Sequence, residues 1–228
     1  MAYPLGSSDI GVWLYGIDDA SSIALMKQYT KIFPQCDANI AAGTHKHHMR
    51  HFSYIMRRWL LSHITNIPVE RLQFYNTPQG KPVLHDNPVE FSISHSGNYW
   101  CMAVAKNTPV GLDIEIMKER KYEAEIVENH FLPSERKAYI EAKSPQERRA
   151  LFYRCWTAKE ALAKMHGISV LEVLSGHIHQ KNKNDISFYY SSLEGNSLAM
   201  NIACRTPDAS VIFFDVNSPS PNGLPYGT

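Results

Sequence analysis

The sequence lacks paired cysteines, long apolar runs and any marked excess of charge of one sign. Its four cysteines have neither CxxC pairing nor zinc-like spacing, so we interpret Cys36, Cys101, Cys155 and Cys204 as small buried residues in a reducing compartment. No apolar stretch approaches the ~18 residues of a membrane-spanning helix, and no basic segment precedes an apolar run at the start. A net charge of +1 over 228 residues disfavours a broad nucleic-acid-binding surface. We therefore expect a cytoplasmic protein that engages neither membrane nor nucleic acid.

Apolar periodicity predicts a mixed α/β chain in which a strand, a helix and further strands occur twice. Strands are predicted at 10–17, 72–75, 89–94, 99–105, 110–116, 186–191, 197–204 and 210–215, and helices at 18–32, 47–62, 121–129, 134–142 and 145–166. A hinge near residues 107–109 divides the chain into subdomains 1–108 and 109–216, followed by a Pro-, Gly- and Ser-rich tail, 217–228, that we expect to be flexible. Two similar subdomains related by a pseudo-twofold axis would leave a cleft between them, where ligands usually bind.

Acidic and basic residues recur at spacings that bring them together. Glu160 and Lys164 are four residues apart on one face of the last predicted helix, and Asp113 and Glu115 share one face of a predicted strand. Three converging carboxylates and an ammonium would bind a divalent cation and the phosphate that it carries. Alternatively, the strand acids are exposed at a strand end, and Glu160 and Lys164 form a solvated pair worth about 0.2–0.5 kcal/mol. Gly111 indicates close approach by a backbone or a ligand.

Three further segments could contact anions. The strand that ends in Ser94-His95-Ser96-Gly97 presents hydroxyls and an imidazole at one loop, without the surroundings of a GxSxG nucleophile. Lys81 lies between a turn glycine and a rigid proline. Histidines are frequent in residues 45–51, where His47 and His51 have helical spacing for zinc but lack the HExxH glutamate and a third ligand. A cationic helix start that meets a phosphate is the other interpretation of this segment.

Taken in order, these motifs resemble those of the 4′-phosphopantetheinyl transferases of the surfactin-synthetase-activating type. The resemblance rests on four segments between residues 80 and 167, with weaker similarity at residues 57–61: Gly80-Lys81-Pro82, Phe91-x-Ile93-Ser94-His95-Ser96-Gly97, Gly111-Leu112-Asp113-Ile114-Glu115 and Trp156-Thr157-Ala158-Lys159-Glu160-Ala161-x-x-Lys164. Many relatives carry Asn at the position of Ser92, so an amide contact there would be lost. Four ordered motifs are far more specific than any one of them.

The resemblance implies a monomeric α/β (α+β) enzyme with its active site between two subdomains. Such an enzyme transfers the phosphopantetheine arm of coenzyme A to a serine of an apo acyl or peptidyl carrier protein and releases adenosine 3′,5′-bisphosphate. The implied roles are Mg²⁺ binding by Asp113, Glu115 and Glu160, catalysis by Glu160 as base and by Lys164, and coenzyme A binding by Lys81, Ser94, His95, Asp113, Lys159 and Lys164. The 3′-phosphate ligands stay open among His47, His48, Arg50, Arg57 and Arg58.

Two rival functions share parts of this pattern. A metal-dependent nuclease would need an acid-x-Lys triplet, but Lys118 arrives one position late after Glu115 and on the opposite face of the strand. A non-catalytic module that binds coenzyme A or a carrier protein is the second rival, although all three acids and Lys164 are present. The identity of the carrier protein, the preference for Mg²⁺ or Mn²⁺ and the tolerance for acylated coenzyme A are open at this stage.

Overall fold

A computed structural model describes residues 5–17, 27, 45–86, 89–174, 185–195 and 197–214. Its strands are β1 (Asp9–Gly16), β2 (Phe74–Asn76), β3 (Pro82–Leu84), β4 (Val89–Ser96), β5 (Tyr99–Lys106), β6 (Val110–Ile116), β7 (Ser187–Leu193), β8 (Leu198–Cys204) and β9 (Ser210–Phe214). Its helices are α1 (His45–Thr65), α2 (Glu123–His130), α3 (Pro133–Glu141), α4 (Pro145–His166) and α5 (Val170–Leu174), with a 3₁₀ turn at Val69–Arg71. The expected mixed α+β class is confirmed.

The first sheet has the strand order β4-β5-β1-β9 and carries α1 on one face. β4 and β5 form the predicted hairpin, whose turn places Gly97 at a φ of 55°, a backbone conformation that favours glycine. Apolar side chains one or two helical turns apart on α1 face the sheet. Phe52 is fully buried and meets the Trp100 ring edge-on at 5.6 Å. This packing sets α1 beside the end of β4 that holds the Ser-His-Ser-Gly segment.

The second sheet has the order β6-β8-β7 and is covered by α4. Ser144 caps the start of α4 by accepting a hydrogen bond from the Glu147 N–H at 3.1 Å, and Gly167 ends it with a φ of 64°. Both ends of α4 agree with the prediction, because these caps are local sequence signals. Gly111 explains how closely the helix approaches β6: a Cβ atom there would lie 1.9 Å from the Ala161 carbonyl oxygen.

The last described strand returns to the first sheet. β9 pairs in parallel with β1, and Phe214 stacks on Trp13 with ring centroids 4.9 Å apart. The predicted boundary at residue 108 separates β5 from β6, but it assigned residues 210–214 to the second subdomain, whereas they complete the sheet of the first. The pseudo-twofold relation between the halves stays a prediction.

Some predictions concern residues outside the described part of the chain, and some elements of the structure were not predicted. The tail at 217–228 and Cys36 lie outside the described residues, as does the helix predicted at 18–32 apart from residue 27. The short elements β2 and β3 form a small separate sheet, of which only β2 was anticipated, and α5 was not predicted. Of the helices described, none has the length and apolar character needed to cross a membrane.

Candidate functional site

Asp113 and Lys164 form the centre of a polar cluster between the two sheets. Asp113, which is only 5% exposed, accepts hydrogen bonds at Oδ1 from Lys164 Nζ at 2.7 Å and from Ser94 Oγ at 2.8 Å. Lys164 Nζ also donates to Ser94 Oγ at 2.9 Å. The second carboxylate oxygen, Asp113 Oδ2, is buried and has no hydrogen-bond partner in the described structure. A buried carboxylate oxygen without a donor is costly, and a cation would satisfy it.

Glu115 is held at both of its carboxylate oxygens. Ser96 Oγ donates to Oε2 at 2.7 Å, and Arg120 Nη2 donates to Oε1 at 3.2 Å. Arg120 is itself fixed by α4, because its Nε donates to the Tyr153 hydroxyl at 3.1 Å and its guanidinium lies 5.5 Å from the Trp156 ring centroid. Sequence reasoning missed Arg120. Its only signal was a lone arginine five residues after the acidic pair, which by itself has no meaning.

Glu160 projects from α4 toward the same cluster and is half-buried. Burial raises the pKa of its carboxyl group, and the negative charge of Asp113 raises it further, while the Lys164 ammonium acts in the opposite direction. Glu115 adds to the upward shift of this pKa, and Arg120 opposes it. The three carboxylates therefore share one electrostatic environment, and they do not face separate regions of solvent.

The donor set fits a hard divalent cation such as Mg²⁺. All the groups concerned are carboxylate oxygens, and the partnerless Asp113 Oδ2 points to a missing positive partner. Within the described residues, no three His, Cys, Asp or Glu side chains lie close enough to form a ready-made metal cage. Mg²⁺ seldom uses such a cage, because one or two carboxylates with substrate phosphates and waters usually complete its shell. Asp113, Glu115 and Glu160 are the residues that would hold such an ion.

A basic cavity of about 610 Å³ adjoins the cluster. His95 connects the two features: it lines the cavity, while its neighbours Ser94 and Ser96 contact Asp113 and Glu115. Partial burial and the Lys164 charge lower the pKa of His95, which favours a neutral imidazole near neutral pH. The basic side chains that line the cavity are His45, Lys46, Arg50, Arg57 and His95. A site of this composition suits a phosphorylated ligand.

The arginines and histidines considered as ligands of the 3′-phosphate differ in whether they line the cavity. Arg50 and Arg57 line the cavity, together with Lys46, which the sequence analysis did not single out. Arg58 instead donates to the carbonyl oxygens of Val69 and Leu72 at 3.2 and 3.1 Å, where it secures the 3₁₀ turn. His48 does not line the cavity, and the His47 side chain lies outside the described part.

Two predicted coenzyme A ligands are engaged elsewhere in the structure. Lys159 is 3% exposed, and its ammonium donates to both carboxylate oxygens of Glu135 at 2.6 and 2.8 Å. It points away from Glu160 because adjacent helical residues differ by about 100° in direction. Lys81 Nζ contacts the Val110 and Met165 carbonyl oxygens at 3.3 and 3.5 Å. In this structure Lys159 connects α4 to α3, and Lys81 connects the end of α4 to the start of β6.

A buried amide also positions α4. Asn201 on β8 lies opposite Asp113 in the strand register, and its Nδ2 donates to the Arg154 carbonyl at 3.0 Å and to Thr157 Oγ1 at 2.8 Å. The only sequence signal was one asparagine within an otherwise apolar strand. Its two bonds fix the height of α4 over the sheet and so the position of Glu160.

Comparison with known proteins identifies the family of this chain. Residues 109–203 match the family model described as the 4′-phosphopantetheinyl transferase superfamily, and residues 44–107 match the model of the 4′-phosphopantetheinyl transferase N-terminal region. Together the two matches cover more than half of the chain. The chain belongs to the 4′-phosphopantetheinyl transferase superfamily.

Individual relatives are also similar to this chain. The Synechocystis sp. protein slr0495 is 33% identical over 128 residues, which are 55% of this chain and 52% of that protein. The 4′-phosphopantetheinyl transferase gsp of Aneurinibacillus migulanus is 30% identical over 59% of this chain and 54% of its own length. The 4′-phosphopantetheinyl transferase AcpT of Escherichia coli K12 is 30% identical over 64% of this chain and 73% of its own length. The first two matches thus span about half of the relative's length.

Proposed function

We propose that this protein transfers the 4′-phosphopantetheine arm of coenzyme A to a serine hydroxyl of an apo acyl or peptidyl carrier protein. The observation that carries the proposal is the bonded group of Asp113, Lys164 and Ser94 with Glu160 beside it, next to a basic cavity. Such a site can bind a diphosphate ester at one end and a nucleotide phosphate at the other. Family membership supports this reaction class.

Transfer requires that the serine hydroxyl be deprotonated and aligned with the phosphorus atom. Glu160 is the proposed base, because its raised pKa makes it a better proton acceptor than an ordinary glutamate. The serine oxygen then bonds to the β-phosphorus that carries the pantetheine arm, and the bond from that phosphorus to the bridging oxygen breaks. The electron pair stays with adenosine 3′,5′-bisphosphate as the leaving group.

Charge builds up on the phosphoryl oxygens during this displacement. Lys164 is suited to neutralise it: two of its three N–H donors bind Asp113 and Ser94, which leaves one for a phosphate oxygen. Mg²⁺, when bound by Asp113 with Glu115 and Glu160, would supply Lewis-acid polarisation of the pyrophosphate. The partnerless oxygen of Asp113 supports its role as a ligand.

The nucleotide end of coenzyme A would occupy the basic cavity. The cavity adjoins the carboxylate cluster through His95, so one molecule could reach both. The 3′-phosphate would be bound by Arg50, Lys46 and Arg57. In this proposal the cationic start of α1 would contact a phosphate. That contact is one of the two interpretations given above for its histidine-rich segment.

A non-catalytic module that binds coenzyme A or a carrier protein is the alternative. The proximity of Glu160 to Asp113 and Lys164 argues for catalysis, since a module that only binds has no use for a carboxylate in an unfavourable electrostatic position.

Mass measurement of the carrier protein distinguishes the two functions. The protein is incubated with coenzyme A, Mg²⁺ and a panel of purified apo acyl and peptidyl carrier proteins. We expect the serine of at least one carrier to gain one phosphopantetheine, and expect Glu160→Gln to abolish the gain. The exposed Glu141 on α3 provides a matched control, because Glu141→Gln makes the same chemical change away from the site. Binding of coenzyme A without any gain in carrier mass would favour the module.

A further inference from the structure

Three alternate serines of β4 connect the two sheets through their side chains. The Oγ atoms of Ser92, Ser94 and Ser96 accept hydrogen bonds from successive outward N–H groups of β6, at 2.9, 3.3 and 3.0 Å. The donors are the N–H groups of Leu112, Ile114 and Ile116. We call this arrangement the hydroxyl ladder. Within a sheet, these N–H groups would donate to carbonyl oxygens of a neighbouring strand. Because β4 and β6 are in different sheets, the serine hydroxyl oxygens accept these hydrogen bonds instead.

Each serine of the hydroxyl ladder forms one rung, and the rungs differ in the acceptor to which the hydroxyl donates its hydrogen bond. Ser94 donates to Asp113, and Ser96 donates to Glu115 Oε2 at 2.7 Å. In the described structure Ser92 makes the backbone bond alone and contacts no carboxylate. The chain therefore contains an internal comparison between a rung that only joins the sheets and rungs that also hold an acid.

We propose that Ser96 is a positioning residue for Glu115, and that the backbone bond it accepts sets the direction in which its hydroxyl proton points. Because Ile116 N–H occupies one lone pair of Ser96 Oγ, the hydroxyl has few orientations left, and one of them meets Glu115. Arg120 fixes the other oxygen of the carboxylate. Each carboxylate oxygen has a second lone pair, so both bonds are compatible with a cation ligand. The role rests on the proposed function, in which Glu115 holds a divalent cation.

Outer partners of this kind typically change metal affinity about 10–100-fold when removed. The test compares Ser96→Ala with Ser92→Ala, which removes the backbone rung without touching an acid. Mn²⁺ binding is measured by electron paramagnetic resonance of the free ion, with coenzyme A present and no carrier protein. Amide hydrogen exchange at Leu112 and Ile116 reports the loss of each rung independently of cation binding.

We expect both variants to speed exchange at their own rung, while only Ser96→Ala raises the Mn²⁺ dissociation constant, by about 10-fold or more. Ser96→Thr keeps the hydroxyl and should restore most of the affinity. If the alanine variant does not fold, Ser96→Cys takes its place in the comparison of Mn²⁺ affinities, because cysteine keeps the volume but is a weak donor. Equal Mn²⁺ affinity in Ser96→Ala and Ser92→Ala would overturn the assignment. Wild-type protein that binds no Mn²⁺ beside coenzyme A would refute the proposed function itself.

Discussion

At the scale of single residues, Glu160 lies where its own charge is unfavourable. Burial raises its pKa first, and repulsion from Asp113 and Glu115 adds to the shift. Because the folded-state pKa exceeds the ordinary value, the folded protein binds this proton more tightly than the unfolded chain does. The charged carboxylate therefore lowers stability at neutral pH, and stability is regained as the pH falls through the folded pKa toward the unfolded value.

We predict that Glu160→Gln raises the stability of the metal-free protein while it abolishes transfer. The glutamine has nearly the same shape but carries no charge, so the repulsion disappears. Urea unfolding in EDTA should show a higher free energy of unfolding at pH 7.5, corresponding to a melting temperature a few degrees higher. The advantage over wild type should shrink at pH 5.5. An advantage that is constant or grows toward acid pH would contradict this account, and Glu141→Gln should show neither effect.

At the scale of elements, the contact between β6 and α4 holds the site together. Asp113 and Glu115 lie on β6, Glu160 and Lys164 lie on α4, and the two elements meet at Gly111 without space for a side chain. A Cβ atom there would lie 1.9 Å from the Ala161 carbonyl oxygen and 2.4 Å from the Met165 amide nitrogen. These are backbone atoms of a long helix, so they cannot move aside alone.

We predict that Gly111→Ala destabilises the protein by about 3 kcal/mol or more, at or beyond the upper end for overpacking, and removes transfer activity. The helix must shift outward, which separates the Lys164 ammonium from the Asp113 carboxylate. Gly195 lies in a turn where a Cβ would meet nothing within 4 Å, although its φ of 63° is itself strained for alanine. Gly195→Ala is thus a control for strain without a clash. Urea unfolding measures the stability of both variants, and carrier modification measures their activity. Comparable losses in the two variants would count against the close-contact explanation.

At the scale of the whole molecule, the cavity lies between α1 and the end of β4. His95 lines it, and the neighbouring Ser94 and Ser96 contact the carboxylates of the second half. Coenzyme A and 3′-dephospho-coenzyme A differ only in the phosphate that we assign to this cavity. We predict that Arg50→Ala weakens coenzyme A binding about 10–100-fold, as expected for a charged hydrogen bond of about 1.5–3 kcal/mol, but scarcely changes binding of the dephospho form.

Calorimetric titration of both ligands measures this difference. Arg71 in the 3₁₀ turn is exposed and does not line the cavity, so Arg71→Ala is the matched control. If Arg50→Ala weakened both ligands equally, the 3′-phosphate would have to be bound by other residues.

Much of the fold and site could be predicted because the signals were local. Ser144 and Gly167 mark the ends of α4 through capping geometry, and the apolar run with a two-residue acid spacing defines β6. A contact could not be predicted where the partner of a residue is distant in sequence. The pattern around Lys159 does not reveal that its ammonium is bound to Glu135, 24 residues earlier, and not to a phosphate. Likewise, nothing in residues 210–214 indicates that they pair with β1.

The long helices and strands, the two pairs of charged residues and the membership of a transferase superfamily follow from the amino-acid sequence itself, since periodicity and short motifs act over a few residues. Only the tertiary structure decided which polar groups meet. The packing of α4 on β6, with β4 beside it, brings Asp113 to Lys164 and brings Glu115 to Arg120 and Ser96. The packing of α1 on the first sheet brings Arg50 and Arg57 to the cavity beside His95. Such contacts depend on distance and direction in space, which spacing along the chain does not specify.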